Sequence, residues 1–163
     1  SKKIDDYIYH VETKSYPDYL NGVASYSKLF AMLYPREFAI YDARVAVSLN
    51  IIQLFSEEKD ALFFPYLSGR NKLTGDQTSG RGFSNIDDFK KNQIEATSQK
   101  HWEFIKQKDV YKIYNEILID LCKENKWDLW DVEMLLFAKA EELVLKISKS
   151  VQYRTADWSP VRN

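Results

Sequence analysis

The stretch Leu20 to Asn50, LNGVASYSKLFAMLYPREFAIYDARVAVSLN, constrains the fold more than any other part of the chain. It holds two runs of apolar residues at helical spacing, separated by Pro35. Val23, Tyr26, Phe30 and Leu33 recur along one stripe, so the spacing predicts a helix over Val23–Tyr34, opened by the Asn21-Gly22 turn signal. Pro35 ends it, because the residue before a proline avoids the αR region. Phe38 to Ile40 reads as extended, and Tyr41–Phe55 as the second helix. Val45, Leu49, Ile52 and Phe55 form its seam. Ala46 and Val47 widen the seam until the helix is apolar most of the way round, which marks a central element.

The same periodicity recurs on both sides of this stretch. Ile4, Tyr7, Ile8 and Val11 predict a helix over Lys2–Thr13. Ala61–Leu67, interrupted by Pro65, reads as a docked extended piece or a helical turn and not as a central strand. Ser68 to Asn85, SGRNKLTGDQTSGRGFSN, is a long loop that holds four of the chain's five glycines together with Arg70, Lys72 and Arg81. Loops of that length are functional or mobile as a rule. Asn85 caps a helix through Asp87, Asp88 and Phe89 to about Ile105. Asp109 caps the next, with Val110, Ile113, Ile117, Leu118 and Leu121 as its core face. Asp128 caps a long last helix to about Ser148, whose inward residues are Leu129, Val132, Leu135, Leu136, Leu143 and Ile147. Trp127 and Trp130 read as core or staple residues at that cap. No segment alternates convincingly with period two, so no strand is expected. The expectation is an all-α fold: a compact bundle of about six helices with one long Gly-rich loop. It forms a single helical domain over 1–163, compatible with being the C-terminal part of a larger protein.

Composition narrows the function classes. The chain has 163 residues, nearly half of them apolar, enough for one domain with a real core. Its formal net charge of −1 gives no global basic field of the kind that marks many nucleic-acid binders, though a local basic surface remains open. The single cysteine, Cys122, excludes an internal disulfide and lies in the apolar run ILIDLC as a core thiol. No apolar run approaches the roughly 20 residues that span a bilayer, and no signal-peptide pattern stands at the N-terminus. A cytoplasmic protein without a membrane partner is expected. His10 and His101 are far apart and have no ligand partners at helical spacing, and the glycines form no phosphate-binding motif. Neither a metal nor any other cofactor is expected.

What remains is the opening stretch. LNGVASYSK, an apolar helix, a proline break and then FAIYDARVAVSLN resembles the helix-hairpin-helix DNA glycosylase superfamily, nearest its eight-oxoguanine-glycosylase-like branch. A looser likeness extends to DLWDVEMLLFAKA near the end of the chain. The resemblance implies that Leu20 to Ala24 form the hairpin, with Gly22, Val23 and Ala24 holding a DNA phosphate through backbone amides and the helix dipole. It implies that Asp42, followed by Val45 three residues on, faces the sugar of an extruded nucleotide and stabilises positive charge there. Lys28, the one lysine of the hairpin helix, is then the candidate nucleophile. The chain departs from the family pattern at Ala24, where a second glycine would stand. Lys28 lies about two positions beyond the family's lysine, at whose place Tyr26 stands.

A plainer reading accounts for the same residues. Asp42 serves as a first-turn acid that stabilises its own helix by roughly 0.5–1 kcal/mol, Arg44 pairs with Asp42 or Glu37, and Lys28 is a solvated residue on an amphipathic helix. Arg70, Lys72 and Arg81 form a second candidate site. With the loop glycines they suit a phosphate backbone, and Arg44 and Arg36 would extend that surface. They serve equally as solvating charges. Two functions therefore follow from the sequence. One is a domain that binds double-stranded DNA and, if active, cleaves the N-glycosidic bond of a damaged or modified base. The other is a non-catalytic all-α module that docks a protein partner, to which aromatics such as Tyr153 and Trp158 are suited.

Overall fold

The structure, a computed structural model, describes residues 2–66, 83, 87, 89 and 99–156, with side chains over 5–66, 83, 87, 89 and 99–147. Apolar residues at helical spacing fold into α1 (Lys2–Thr13), α2 (Val23–Leu33), α3 (Ala43–Phe55), α4 (Val110–Asn125) and α5 (Leu129–Ala156). The fold is predominantly α-helical. The long Gly-rich stretch, with Arg70, Lys72 and Arg81, lies outside the described residues, as does most of the helix expected after Asn85; Asp87 and Phe89 are helical.

α3 is the central helix. Ala43, Val45, Ala46, Val47, Ser48, Asn50 and Ile51 are all buried, and α3 packs most extensively along α5. Small residues make the approach close: Ala46 and Ala140 are fully buried, and the Ser48 hydroxyl donates to Leu136 O at 2.6 Å. One core, with Val45 and Ala46, gathers Val11, Val23, Phe30, Phe38, Tyr111 and Leu118. A second core, with Val47 and Ile51, gathers Phe63, Phe83, Phe89, Trp102 and Val144.

Three expectations need correction. A strand pair exists: β1 (Asp60–Phe63) and β2 (His101–Phe104) run parallel, with Ala61 opposite Trp102 and Phe63 opposite Phe104. The helix expected to reach Ile105 is therefore a turn at Gln99 and a strand from His101. Four-residue strands are too short for alternation to register, and the outer edge of β1 is satisfied by side chains of α3. Gln53 accepts from Leu62 N and donates to Leu62 O, while Asn50 accepts from Phe64 N and donates to Phe64 O and Phe83 O. Two carboxamides thus take the place of a third strand.

The second correction concerns helix faces. On α3 the outer half of the expected seam, Ile52 and Phe55, is about half exposed, as is Leu33 at the end of the α2 stripe. On α4 the buried face is Val110, Tyr111, Tyr114, Asn115, Leu118 and Cys122, leaving Ile117 and Leu121 at the surface. The face is rotated because the segment beneath it needs hydrogen-bond donors more than aliphatic area. On α5, Leu135 is exposed. Third, Trp127 and Trp130 are each 55% exposed and are not core residues.

The described aromatic residues supply much of the packing. Phe30, Phe38, Tyr26 and Tyr111 form one contiguous group of tilted, edge-on and, between Phe38 and Tyr111, stacked rings, geometries the ring quadrupole allows.

Replacing Asn50 with leucine keeps the branched shape and removes all three bonds to the backbone of Phe64 and Phe83. The buried groups left unpaired cost about 1–3 kcal/mol each. Urea unfolding is expected to show a loss of about 3 kcal/mol or more; a loss below about 1 kcal/mol would mean that water replaces the amide.

Candidate functional site

The segment between α2 and α3 determines where Asp42 stands. Residues 39–41 have no strand beside them and no helical bonds, yet Ala39 and Tyr41 are completely buried. Side chains satisfy their backbone. Ala39 N donates to Asn115 Oδ1 at 2.8 Å and Ala39 O accepts from Tyr111 at 3.2 Å. Ile40 N donates to Glu133 Oε2 at 2.8 Å, and Ile40 O accepts from Tyr114 at 2.9 Å. Tyr41 N donates to Ser27 Oγ at 3.1 Å, and the same hydroxyl lies 3.4 Å from Tyr41 O. The strap is clamped from α2, α4 and α5 at once.

Asp42 follows as the N-cap of α3. Its backbone is extended, and its Oδ1 accepts from Arg44 N at 2.9 Å and Val45 N at 3.0 Å. The acid is a cap just outside the helix and not a residue within its first turn. Arg44 does not pair with Asp42 or Glu37. Its guanidinium meets Glu141 at 2.7 Å and lies over the Phe137 ring at 4.6 Å, while Glu37 is bound by Lys14.

The hairpin precedes α2. Gly22 is its N-cap, in the left-handed region at φ 83°, and a Cβ there would come within 2.8 Å of the Tyr7 hydroxyl, so glycine is required twice over. Val23 N is spent on Leu20 O, and Ser25 N and Tyr26 N on Gly22 O. The amides of Asn21, Gly22 and Ala24 donate to no group among the described residues. Residues 20–25 and Tyr66 line a cleft of about 290 Å³. Tyr66 ties this cleft to the acid. Its phenol is pushed above its ordinary range first by burial and then by the charge of Asp42, and its ring lies 6.3 Å from that of Tyr41. Gly22, Val23, Ala24 and Tyr66 line one cleft, and Tyr66 feels the charge of Asp42, which is not among the lining residues. Lys28 sits on the exposed face of α2 without a described partner, one residue beyond the Ser27 that holds Tyr41.

Glu133 is the residue that the sequence reading missed. It is 4% exposed. Burial raises its carboxyl above the usual range, the Ile40 amide pulls it down, and the Asp42 charge raises it again. A signal was present: Leu129, Glu133, Leu136, Ala140, Val144 and Ile147 fall on one buried stripe of α5 at spacings of three or four. A carboxylate on an apolar stripe is one that the fold has placed deliberately. Tyr66, Ser27 and Asn115 had no such signal.

His10 is held by Ser15 at 2.9 Å and faces Asp6 at 3.7 Å; His101 faces Asp60 at the surface at 3.4 Å. No group of three potential metal ligands occurs among the described residues. Cys122 is a buried free thiol. No described helix is long and apolar enough to cross a membrane. Comparison of the chain with family models, curated proteins and solved structures gives no match.

Two outcomes are expected. Asn caps a helix as well as Asp does, so Asp42→Asn should leave the thermal midpoint unchanged, while Asp42→Ala should cost about 1 kcal/mol. Equal losses in the two variants would show that charge and not capping matters for folding. Glu133 binds its proton more tightly folded than unfolded, so wild-type stability should fall as pH rises from the ordinary glutamate range through the raised value. Urea unfolding at a series of pH values should show that slope in wild type and its loss in Glu133→Gln.

Proposed function

We propose that the chain is a DNA-binding helical domain of the helix-hairpin-helix type that removes a damaged or modified base from double-stranded DNA. The observation that carries this reading is the hairpin of unspent amides at Asn21, Gly22 and Ala24 beside a cleft, followed by the capping acid Asp42 at the start of the next helix. Unspent amides at the start of α2 suit a phosphate oxygen, because they and the helix dipole present partial positive charge with no Cβ at Gly22 to hold the phosphate off. In this reading the sugar attached to that phosphate is presented to Asp42. Oδ1 of Asp42 is occupied by two amides of α3, and Oδ2 takes no described donor, so one carboxylate oxygen is left to face the sugar.

In the reaction the C1′–N bond breaks and its electron pair leaves with the base nitrogen, which takes up a proton. Positive charge grows on the sugar and Asp42 stabilises it. A water oxygen, or the Nζ of Lys28 after losing a proton, then bonds to C1′. Arg70, Lys72 and Arg81 of the Gly-rich loop, together with Arg44, supply phosphate contacts in this reading, and the work is done in the cytoplasm. The complete arrangement is a bundle of about six helices, with the loop beside the DNA.

A second reading, a protein-docking module without chemistry, is favoured by one observation. Met32 is 80% exposed and Leu33 53% exposed on α2, and Trp127 and Trp130 are each 55% exposed.

Fluorescent duplexes containing an abasic site, an eight-oxoguanine or no lesion separate the two readings. Under base excision, affinity falls steeply with salt and favours the abasic duplex. Asp42→Asn abolishes base release by about 10²-fold or more while keeping the affinity. Borohydride trapping assigns the nucleophile: an adduct that disappears in Lys28→Gln identifies Lys28, and no adduct identifies water. Negligible binding at low salt overturns the DNA reading and leaves the docking module.

A further inference from the structure

The strap before Asp42 is clamped from three helices, and one of its clamps comes from the helix that carries the hairpin. Ser27 of α2 stands less than two helical turns after Gly22 and is completely buried. Its hydroxyl accepts from Tyr41 N at 3.1 Å and donates to Tyr41 O at 3.4 Å. A serine inside a helix ordinarily returns its proton to a carbonyl of the preceding turn or points to solvent. Both described hydrogen bonds of Ser27 go instead to one residue of another segment, the residue immediately before Asp42.

Tyr41 is held a second time at the far end of its side chain. Its hydroxyl donates to Pro65 O at 2.7 Å, and the residue is completely buried. The residue after Pro65, Tyr66, lines the hairpin cleft together with residues 20–25. The contacts close a ring. It runs from the hairpin along α2 to Ser27, across to Tyr41, out through the Tyr41 hydroxyl to Pro65, and from Tyr66 back to the cleft. Asp42 is attached to this ring at Tyr41, with Oδ1 held by Arg44 N and Val45 N.

We propose that Ser27 and Tyr41 are positioning residues of the Asp42 site: bonded to each other and to Pro65, they fix the acid relative to the hairpin of unspent amides. The proposal rests on the reading of Asp42 as the acid that faces the sugar. Both residues are completely buried, so they act through Asp42 and not by touching DNA. The other clamps, from Asn115, Tyr111, Tyr114 and Glu133, tie the strap to α4 and α5, which carry no part of the hairpin. Ser27 is the described clamp that ties it to the helix on whose N-terminus the phosphate sits in this reading. A misplacement of about 1 Å costs a reacting group on the order of 10²-fold in rate, so the ring matters to the reaction more than to the binding of duplex.

Ser27→Ala removes both backbone bonds to Tyr41. Tyr41→Phe removes the Pro65 bond and keeps the aromatic ring and the Ser27 contact, so it carries the same measurements should Ser27→Ala not fold. Asn50→Leu is the control, because it removes buried hydrogen bonds in the second half of α3, away from Asp42. Amide hydrogen exchange by NMR, in the full chain without DNA, reads the cap. Scaled to the α4 amides of the same variant, the Arg44 and Val45 amides should exchange about tenfold faster in the two ring variants than in Asn50→Leu. Equal exchange in all three overturns the proposal. Single-turnover base release from the eight-oxoguanine duplex reads the consequence. Both ring variants should bind duplex as wild type does and release base about 10- to 10²-fold more slowly, while Asn50→Leu keeps the wild-type rate. An Asn50→Leu rate as low as theirs, or affinity lost in step with rate, shows that the ring serves stability alone and overturns the positioning role. A wild type that binds duplex without releasing base overturns the reading of Asp42, and the DNA-free exchange rates tell that failure apart from a ring that does not fix the cap.

Discussion

Three consecutive residues, Ala39, Ile40 and Tyr41, carry backbone into the interior with no neighbouring strand and no helical ladder, and the rest of the fold is arranged to answer their polar groups. An unpaired buried N–H or C=O costs about 1–3 kcal/mol, so a strap of this kind exists only where partners converge on all sides. Here they come from Ser27 on α2, Tyr111, Tyr114 and Asn115 on α4, and Glu133 on α5. This requirement explains features that hydrophobic burial alone would not produce. α4 turns two tyrosines and an asparagine inward and leaves Ile117 and Leu121 outside. α2 buries a serine completely. The Tyr41 hydroxyl in turn reaches Pro65 O at 2.7 Å, joining the strap to the residues after β1.

The same device recurs at the other end of α3. Asn50 and Gln53 pair with the backbone of residues 62 and 64 as a neighbouring strand would. One helix is thus fixed at its start by a cap on a clamped strap and along its second half by amide clips on a strand. α3 can rotate or slide only by breaking several buried hydrogen bonds together. A residue at its N-terminus, Asp42, is therefore held far more firmly than the loop position of its segment would suggest. That firmness is what electrostatic stabilisation of a transition state requires, since its benefit depends on dipoles and charges that do not reorganise.

The sequence disclosed the parts governed by periodicity. α1 has the bounds expected from Ile4, Tyr7, Ile8 and Val11, α2 begins at Val23 as predicted, and α3 is the central helix that its all-round apolar character indicates. It did not disclose what depends on polar partners distant in sequence. Ala39 and Asn115 are 76 residues apart, and Ile40 and Glu133 are 93 apart, so neither spacing nor propensity relates them. The β1–β2 pair was hidden for the same reason: four residues at 60 and four at 101 become strands only by meeting. At the candidate site Asp42 and Gly22 were legible, because a cap and a left-handed turn are local features. Tyr66 and Glu133 were not, because what distinguishes them is the company they keep in the fold.

Buried polarity is concentrated around one short segment, and this has a functional meaning. A chain needing only to join α2 to α3 could do so with a surface turn, whose backbone water would satisfy at no cost. Instead the connection passes through the core and surfaces at Asp42, whose charge is felt by Tyr66, a lining residue of the hairpin cleft. The two sides of this neighbourhood have opposite electrostatic character. The hairpin presents free N–H groups, and the strap side presents Asp42 with Glu133 behind it. A ligand that satisfies both must carry an anionic group at one end and either bear or develop positive charge at the other. In the proposed reading a nucleotide losing its base meets both, with its phosphate on the hairpin and its sugar becoming cationic near Asp42.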